Sequence, residues 1–215
     1  MKIRIMSFNT QHCKDYNTKK INYDNIINLI NKYKVDIIGL NEIYNIPNQT
    51  KKIAKNIGYN YCFGKSSNMI LPYGNSILSR YKIIDNKVIN IKYNNSFKYV
   101  ENRSILKTKI IINDKTLNIY VTHFGLDDNE KDNEINTLIN NIDKDNSIVL
   151  GDFNMTNIKI NNFNHISDNL PTYPSINPKY KLDYIFTSKN IKVISCKTLD
   201  EVISDHRPII IDIDI

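Results

Sequence analysis

Ile203-Ser204-Asp205-His206-Arg207-Pro208 runs directly into the apolar Ile209-Ile210-Ile211. An Asp-His pair just ahead of a buried strand sets an anionic oxygen and a titratable imidazole at the rim of a sheet, where a substrate can reach them. The same pattern recurs upstream. Asn9 closes the first strand-like run, Glu42 follows Asp36–Leu40, and His123 ends Leu117–Thr122. Asp152 and Asn154 end Ile148–Leu150, and Asp183 opens Tyr184–Thr187. Each of these residues reads as lying at a strand terminus and none as lying mid-strand. If the termini share one edge, the rim holds four carboxylates, two imidazoles and two amides. Such a cluster is electrostatically poor unless a cation neutralises it. Oxygen donors without thiolates select Mg²⁺ or Mn²⁺ over zinc.

The strand-like runs are Ile3–Phe8, Val35–Leu40, Tyr59–Phe63, Asn75–Leu78, Lys82–Ile91, Ser104–Ile112, Lys115–Thr122, Ser147–Leu150, Tyr184–Thr187, Lys192–Leu199 and Pro208–Ile213. Asn113-Asp114 reads as a tight hairpin turn between two of them. Helical spacing of apolar residues predicts helices over Tyr23–Lys34 and Glu130–Ile142, each followed by a strand as in a β-α-β unit. A shorter helix is expected over Gln49–Ile57, with Gly58 as its C-terminal cap. Many strands, few helices and a mixture of hairpins and crossovers predict a four-layer α/β sandwich, two packed mixed sheets flanked by helices.

At 215 residues, 41% hydrophobic and 24% charged, the chain has ordinary globular composition and is expected to form one domain over 1–215. No signal peptide or transmembrane run is evident, and Cys13, Cys62 and Cys196 are scattered without metal-type spacing. A cytoplasmic monomer is the expectation. The net charge of +7 is uneven: residues 1–120 carry 20 Lys/Arg against 7 Asp/Glu, whereas residues 121–170 carry 3 against 9. A basic first half suits a polyanion. An AT-rich coding sequence, which favours Lys, Asn and Ile, accounts for it equally well.

Ser7-Phe8-Asn9, Leu40-Asn41-Glu42, Gly74-Asn75-Ser76-Ile77-Leu78-Ser79-Arg80, Thr122-His123-Phe124-Gly125, Gly151-Asp152-Phe153-Asn154, Leu182-Asp183-Tyr184-Ile185 and Ser204-Asp205-His206 occur in that order. Together they resemble the endonuclease/exonuclease/phosphatase superfamily, whose fold is deoxyribonuclease-I-like, and the resemblance spans nearly the whole chain. It implies that Glu42 binds the metal, with Asp205 and Asn9 holding the ion or its waters. It implies that His206 is general base or phosphate donor, oriented by Asp183, and that Asp152 and Asn154 position water and a phosphate oxygen. Which of Asp152 and His206 takes the proton stays open. His123 is expected over the phosphate, stabilising its charge or protonating the leaving oxygen. Arg103 is read either as a phosphate contact or as a surface cation. His12 and His165 lack a partner motif and are read as non-catalytic.

The resemblance thus implies a metal-dependent phosphodiesterase with a phosphoester substrate, nucleic acid standing ahead of a phospholipid headgroup or another small phosphoester. A non-catalytic binding relative is disfavoured because the reactive set is intact.

Overall fold

The computed structural model describes residues 1–66, 72–93 and 102–215. Among them the strands are β1 (Lys2–Asn9), β2 (Ile37–Tyr44), β3 (Asn60–Lys65), β4 (Tyr73–Ser79), β5 (Lys82–Asn90), β6 (Ser104–Ile112), β7 (Lys115–His123), β8 (Ser147–Asp152), β9 (Phe163–His165), β10 (Asp183–Ser188), β11 (Lys192–Thr198) and β12 (Ile209–Asp214). The helices are α1 (Tyr23–Tyr33), α2 (Gln49–Ile57) and α3 (Lys131–Ile139). Short 3₁₀ turns cover Gln11–Cys13 and Asp128–Glu130.

The strands form two six-stranded sheets, ordered β11-β12-β1-β2-β4-β3 and β5-β6-β7-β8-β10-β9. Each sheet holds one parallel pair, β1 with β2 and β7 with β8. A parallel pair needs a crossover, and α1 and α3 supply the two. The other pairings are antiparallel. At the β6–β7 hairpin Asn113 and Asp114 both have positive φ, 46° and 62°, as a two-residue turn of the expected kind requires.

Alternation along the strands sends one set of apolar side chains between the sheets, including Ile5, Ile77, Leu106, Ile119, Leu150 and Ile211. The opposite face of the first sheet buries Phe8, Ile38 and Leu40 against Ile26, Leu29 and Ile30 of α1 and Ile53 of α2. The outer face of the second sheet buries Tyr120, Val149 and Phe186 against Leu138 of α3 and Phe153. Helix, sheet, sheet and helix therefore stack as the predicted four layers. The α1 amphipathic stripe is closed by Asn22, whose side chain accepts from Asp24 N at 3.0 Å, and by Lys34 in the left-handed region. Gly58 caps α2 with φ 71°.

One expectation needs correction, and one strand was not anticipated. Glu42 does not follow its strand: it lies inside β2, in a bulge between Leu40 and Ile43 where its own φ is 57°. The bulge turns Glu42 out of the alternation and towards the rim. In addition, the three-residue β9 extends the second sheet, too short a segment to show alternation.

Asn41, fully buried beside that bulge, joins the two sheets. Its amide donates to Asn75 Oδ1 and Thr122 O, each at 2.8 Å, and its carbonyl accepts from Asp152 N at 3.1 Å. Gly151, just before Asp152, has φ 143°, and a Cβ there would stand 1.9 Å from Thr122 O. The β7–β8 pair that receives Asn41 thus leaves no room for a side chain at that position. Asn41→Ala leaves a buried donor and acceptor without partners. It should destabilise the fold by about 3 kcal/mol and lower Tm by ~6–12 °C, as read by calorimetry; a loss below about 1 kcal/mol would contradict the clamp.

Candidate active site

Strand register puts three reactive groups side by side. His123 at the end of β7 pairs with Asp152 at the end of β8, and Asp152 pairs with Asp183 at the start of β10. From the facing sheet come Asn9, Glu42, Asp205 and His206. The segment carrying Asp205 and His206 is fixed by Ser204 Oγ donating to Asn9 O at 2.6 Å and by Ser175 N donating to Asp205 O at 2.7 Å. Asn9 Nδ2 donates to Asp152 Oδ2 at 2.9 Å and to Glu42 Oε1 at 3.3 Å, across the seam between sheets. Asp152 Oδ1 accepts from Asn154 N at 2.9 Å. Asn154, with φ 48°, turns back so that its amide donates to Phe124 O at 2.9 Å. Seven of the nine predicted residues thus line one cleft of about 970 Å³; Asn9 lies beneath Glu42 and Asp152, and Asp183 behind His206.

The electrostatics divide the site in two. His206 Nδ1 is 2.8 Å from Asp183 Oδ2, and its Nε2 is 3.6 Å from Asp152 Oδ2. Burial opposes a charge on this ring, but Asp183 and Asp152 outweigh it and raise the imidazole to about 10. Burial pushes the Asp152 carboxyl up to about 6, with Asp183 adding to the rise. Glu42 is pushed up to about 7 by burial, reinforced by Asp205 and Asp152. Burial likewise raises Asp205. Three carboxyls that resist ionisation around one point, with Asp205 Oδ1 buried and lacking a partner, fit the need for a divalent cation. Asp152, Asp183 and His206 also bring ligand-type atoms within 4.8 Å of one another. There, however, His206 has committed Nδ1 to Asp183.

His123 faces a different environment. Its Nδ1 is 3.2 Å from Tyr73 Oη and 3.1 Å from Arg103 Nη1, and its Nε2 is 3.1 Å from Asn154 Nδ2. Burial and the Arg103 charge hold the ring well below its ordinary value, which keeps it neutral, with one nitrogen carrying the ring proton and the other accepting. The alternative of Arg103 as a surface cation is overturned: the side chain is 5% exposed and lines the cleft.

Several residues at the site carried no signal in the sequence. His12 lines the cleft, with Nε2 3.4 Å from Glu42 Oε2, a partner thirty positions away that only the fold brings near. His165 stays apart, with Nε2 2.8 Å from Ser167 Oγ and its ring beside Tyr184 and Phe186. Tyr44, Tyr73 and Tyr173 complete the walls, each within two residues of a motif residue or of a segment that anchors one. Behind the floor, Lys131 of α3 is nearly buried. Its ammonium donates to Gly125 O and, at 3.0 Å, to Asn154 O. Glu134, fully buried one turn on, accepts from Gly125 N at 2.7 Å. This pair ties the loop after His123 to the loop after Asp152.

Residues 6–206 match the Endonuclease/Exonuclease/phosphatase family. No curated protein matches the sequence. Among solved structures, an endonuclease/exonuclease/phosphatase from Beutenbergia cavernae is similar with a TM-score of 0.86 at 17% identity, over 99% of this chain and 71% of that one. A mannosyl-6-phosphatase from Bacteroides thetaiotaomicron gives 0.80 at 15% identity, over 99% and 100%. The human Nocturnin catalytic domain with bound sulfate anion gives 0.76 at 20% identity, over 99% and 93%. At these identities the structures share the fold and carry no more than that.

Two outcomes follow from this geometry. In Asp183→Asn the acidic neighbour that most raises His206 is gone while burial remains, so the imidazole pKa should fall from about 10, read by NMR titration of the ring; an unchanged value would refute the pairing. Lys131→Met should lower kcat about 10-fold through Asn154 with little change in KM, and Lys131→Arg should restore part of it; equal loss in both terms would indicate general unfolding.

Proposed function

The chain belongs to the endonuclease/exonuclease/phosphatase family, and we propose that it is a divalent-metal-dependent phosphodiesterase acting on nucleic acid. The observation that carries this reading is the convergence of Glu42, Asp152 and Asp205, three carboxyls raised by burial, beside an imidazole held in its charged form. Glu42, Asp205 and Asn9 would hold the ion. Bound Mg²⁺ or Mn²⁺ supplies Lewis-acid stabilisation of the phosphoryl charge.

Hydrolysis joins a water oxygen to phosphorus and breaks one ester P–O bond. The water must lose a proton, and two groups were candidates to take it. His206, raised to about 10, is already protonated at neutral pH, whereas Asp152 is raised to only about 6 and is mostly ionised there. We therefore assign the proton to Asp152 and give His206 the role of donor to a phosphoryl oxygen, with Asp183 fixing the ring. Asn9 and Asn154 hold Asp152 through both of its oxygens. His123, kept neutral, braces Asn154 and stabilises the phosphate, and the leaving oxygen takes its proton from solvent water.

The basic first 120 residues and the ring-lined cleft support nucleic acid as the substrate class. A small phosphoester is the second reading, favoured by a cleft of about 970 Å³, ample for a single phosphorylated headgroup or sugar. That a phosphatase shares the fold is consistent with it.

Hydrolysis of bis(p-nitrophenyl) phosphate with Mg²⁺, Mn²⁺ or EDTA tests the chemistry. Turnover should need the metal and fall at least ~100-fold in His206→Ala. In Glu42→Ala it should require much more metal. Turnover in EDTA, or a nearly active His206→Ala protein, would refute it. For the substrate class, DNA binding should weaken steeply as salt rises if several phosphates are gripped, and a flat salt dependence would favour the small phosphoester.

A further inference from the structure

The part of the cleft that the chemistry above does not use is a wall of rings. His12 and Tyr44 lie face to face, with centroids 4.3 Å apart and planes 18° from parallel. Tyr73 leans on both, at 5.4 Å from His12 and 6.0 Å from Tyr44. All three line the cleft on the side of Glu42 and His123. On the other side Tyr173 sits 4.8 Å from the His206 ring, next to Leu182.

The ring pair is built at a cost to the backbone. Gln11, His12 and Cys13 are consecutive non-glycine residues with φ of 46°, 60° and 60°. Such conformations persist only where the surroundings enforce them. Gln49, fully buried at the start of α2, does so here, donating to His12 O at 2.8 Å and accepting from Tyr44 N at 2.8 Å. One side chain thus clamps both members of the pair. Simple core packing does not explain it, because Tyr44 is only half-buried and both rings border open cleft.

The geometry points to the His12–Tyr44–Tyr73 wall as a stacking subsite for a nucleobase carried on the phosphoester being cleaved. The inference rests on the phosphodiesterase reading and goes beyond it, by naming what binds beside the phosphate and which residues select it. Flat rings ending in polar atoms suit a planar, polar-edged group. An acyl chain would be met by aliphatic side chains, and among the described lining residues the cleft offers only Leu126 and Leu182. Stacking on such a wall is sequence-tolerant because every base has a π-face. The subsite therefore separates base-bearing from base-free esters rather than one base from another.

The test compares two diesters with the same alkoxide leaving group: a thymidine dinucleotide, and the same molecule with both bases replaced by hydrogen. Both are assayed with Mg²⁺ on the wild type, Tyr44→Leu and Tyr44→Phe. The wild type should prefer the base-bearing diester in kcat/KM by roughly 10- to 100-fold. Tyr44→Phe should keep that ratio and Tyr44→Leu should collapse it towards one. Equal use of both diesters by the wild type, or a ratio unchanged in Tyr44→Leu, overturns the subsite while leaving the phosphodiesterase reading intact. Turnover of neither diester, in a protein that also fails on bis(p-nitrophenyl) phosphate, overturns both.

Discussion

The arrangement depends on one buried amide. Asn41 reaches from the first sheet to Thr122 O and Asp152 N of the second, and so fixes how far apart the two rims stand. Every distance in the site inherits that setting. Asn9 can bridge Glu42 and Asp152 only because the rims are this close. The bulge that follows Asn41 is the other half of the device. It takes Glu42 out of the strand's alternation, which would otherwise bury it in the sheet or turn it to solvent. Backbone strain gathers on the same side, at Glu42 and at Gln11 to Cys13, where a strained conformation serves the site and not the fold.

Around that frame the charges are deliberately unbalanced. Asp183 and Asp152 keep His206 charged in a place where burial alone would make it neutral. Burial and Arg103 keep His123 neutral a few ångströms away. Two imidazoles of the same intrinsic basicity are driven apart by their surroundings. Glu42 and Asp205 are left with more negative charge than their neighbours offset, and this excess is what a divalent cation would relieve.

Much of this was legible in the sequence. Apolar alternation located most of the strands, the 3.6-residue stripe located α1, and the Asp-His pair before Ile209 marked the rim. What escaped had physical reasons. The polar pair Asn41-Glu42 reads as the end of a strand, because a bulge has no signature in a single sequence. Lys131 and Glu134 look like the solvated face of an amphipathic helix, yet both are buried against the loops that carry His123 and Asn154. Arg103 read equally well as surface or site, since its neighbours Tyr73 and His123 lie 30 and 20 positions away. His12 looked idle until folding set it against Glu42. Residues that stand in a recognisable string at a strand terminus were found, and those without such a string, which only the tertiary fold brings to the cleft, were not.

We propose that a divalent cation held by Glu42, Asp205 and Asn9 completes this rim. Isothermal titration of Mg²⁺ or Mn²⁺ at pH 7, repeated in buffers of different ionisation enthalpy, tests it without recourse to any substrate. Glu42 is raised to about 7, so it is partly protonated before the metal arrives. One binding event accompanied by proton release is expected, with marked weakening in Glu42→Gln. Absence of binding, or binding of the same strength in Glu42→Gln, would contradict it.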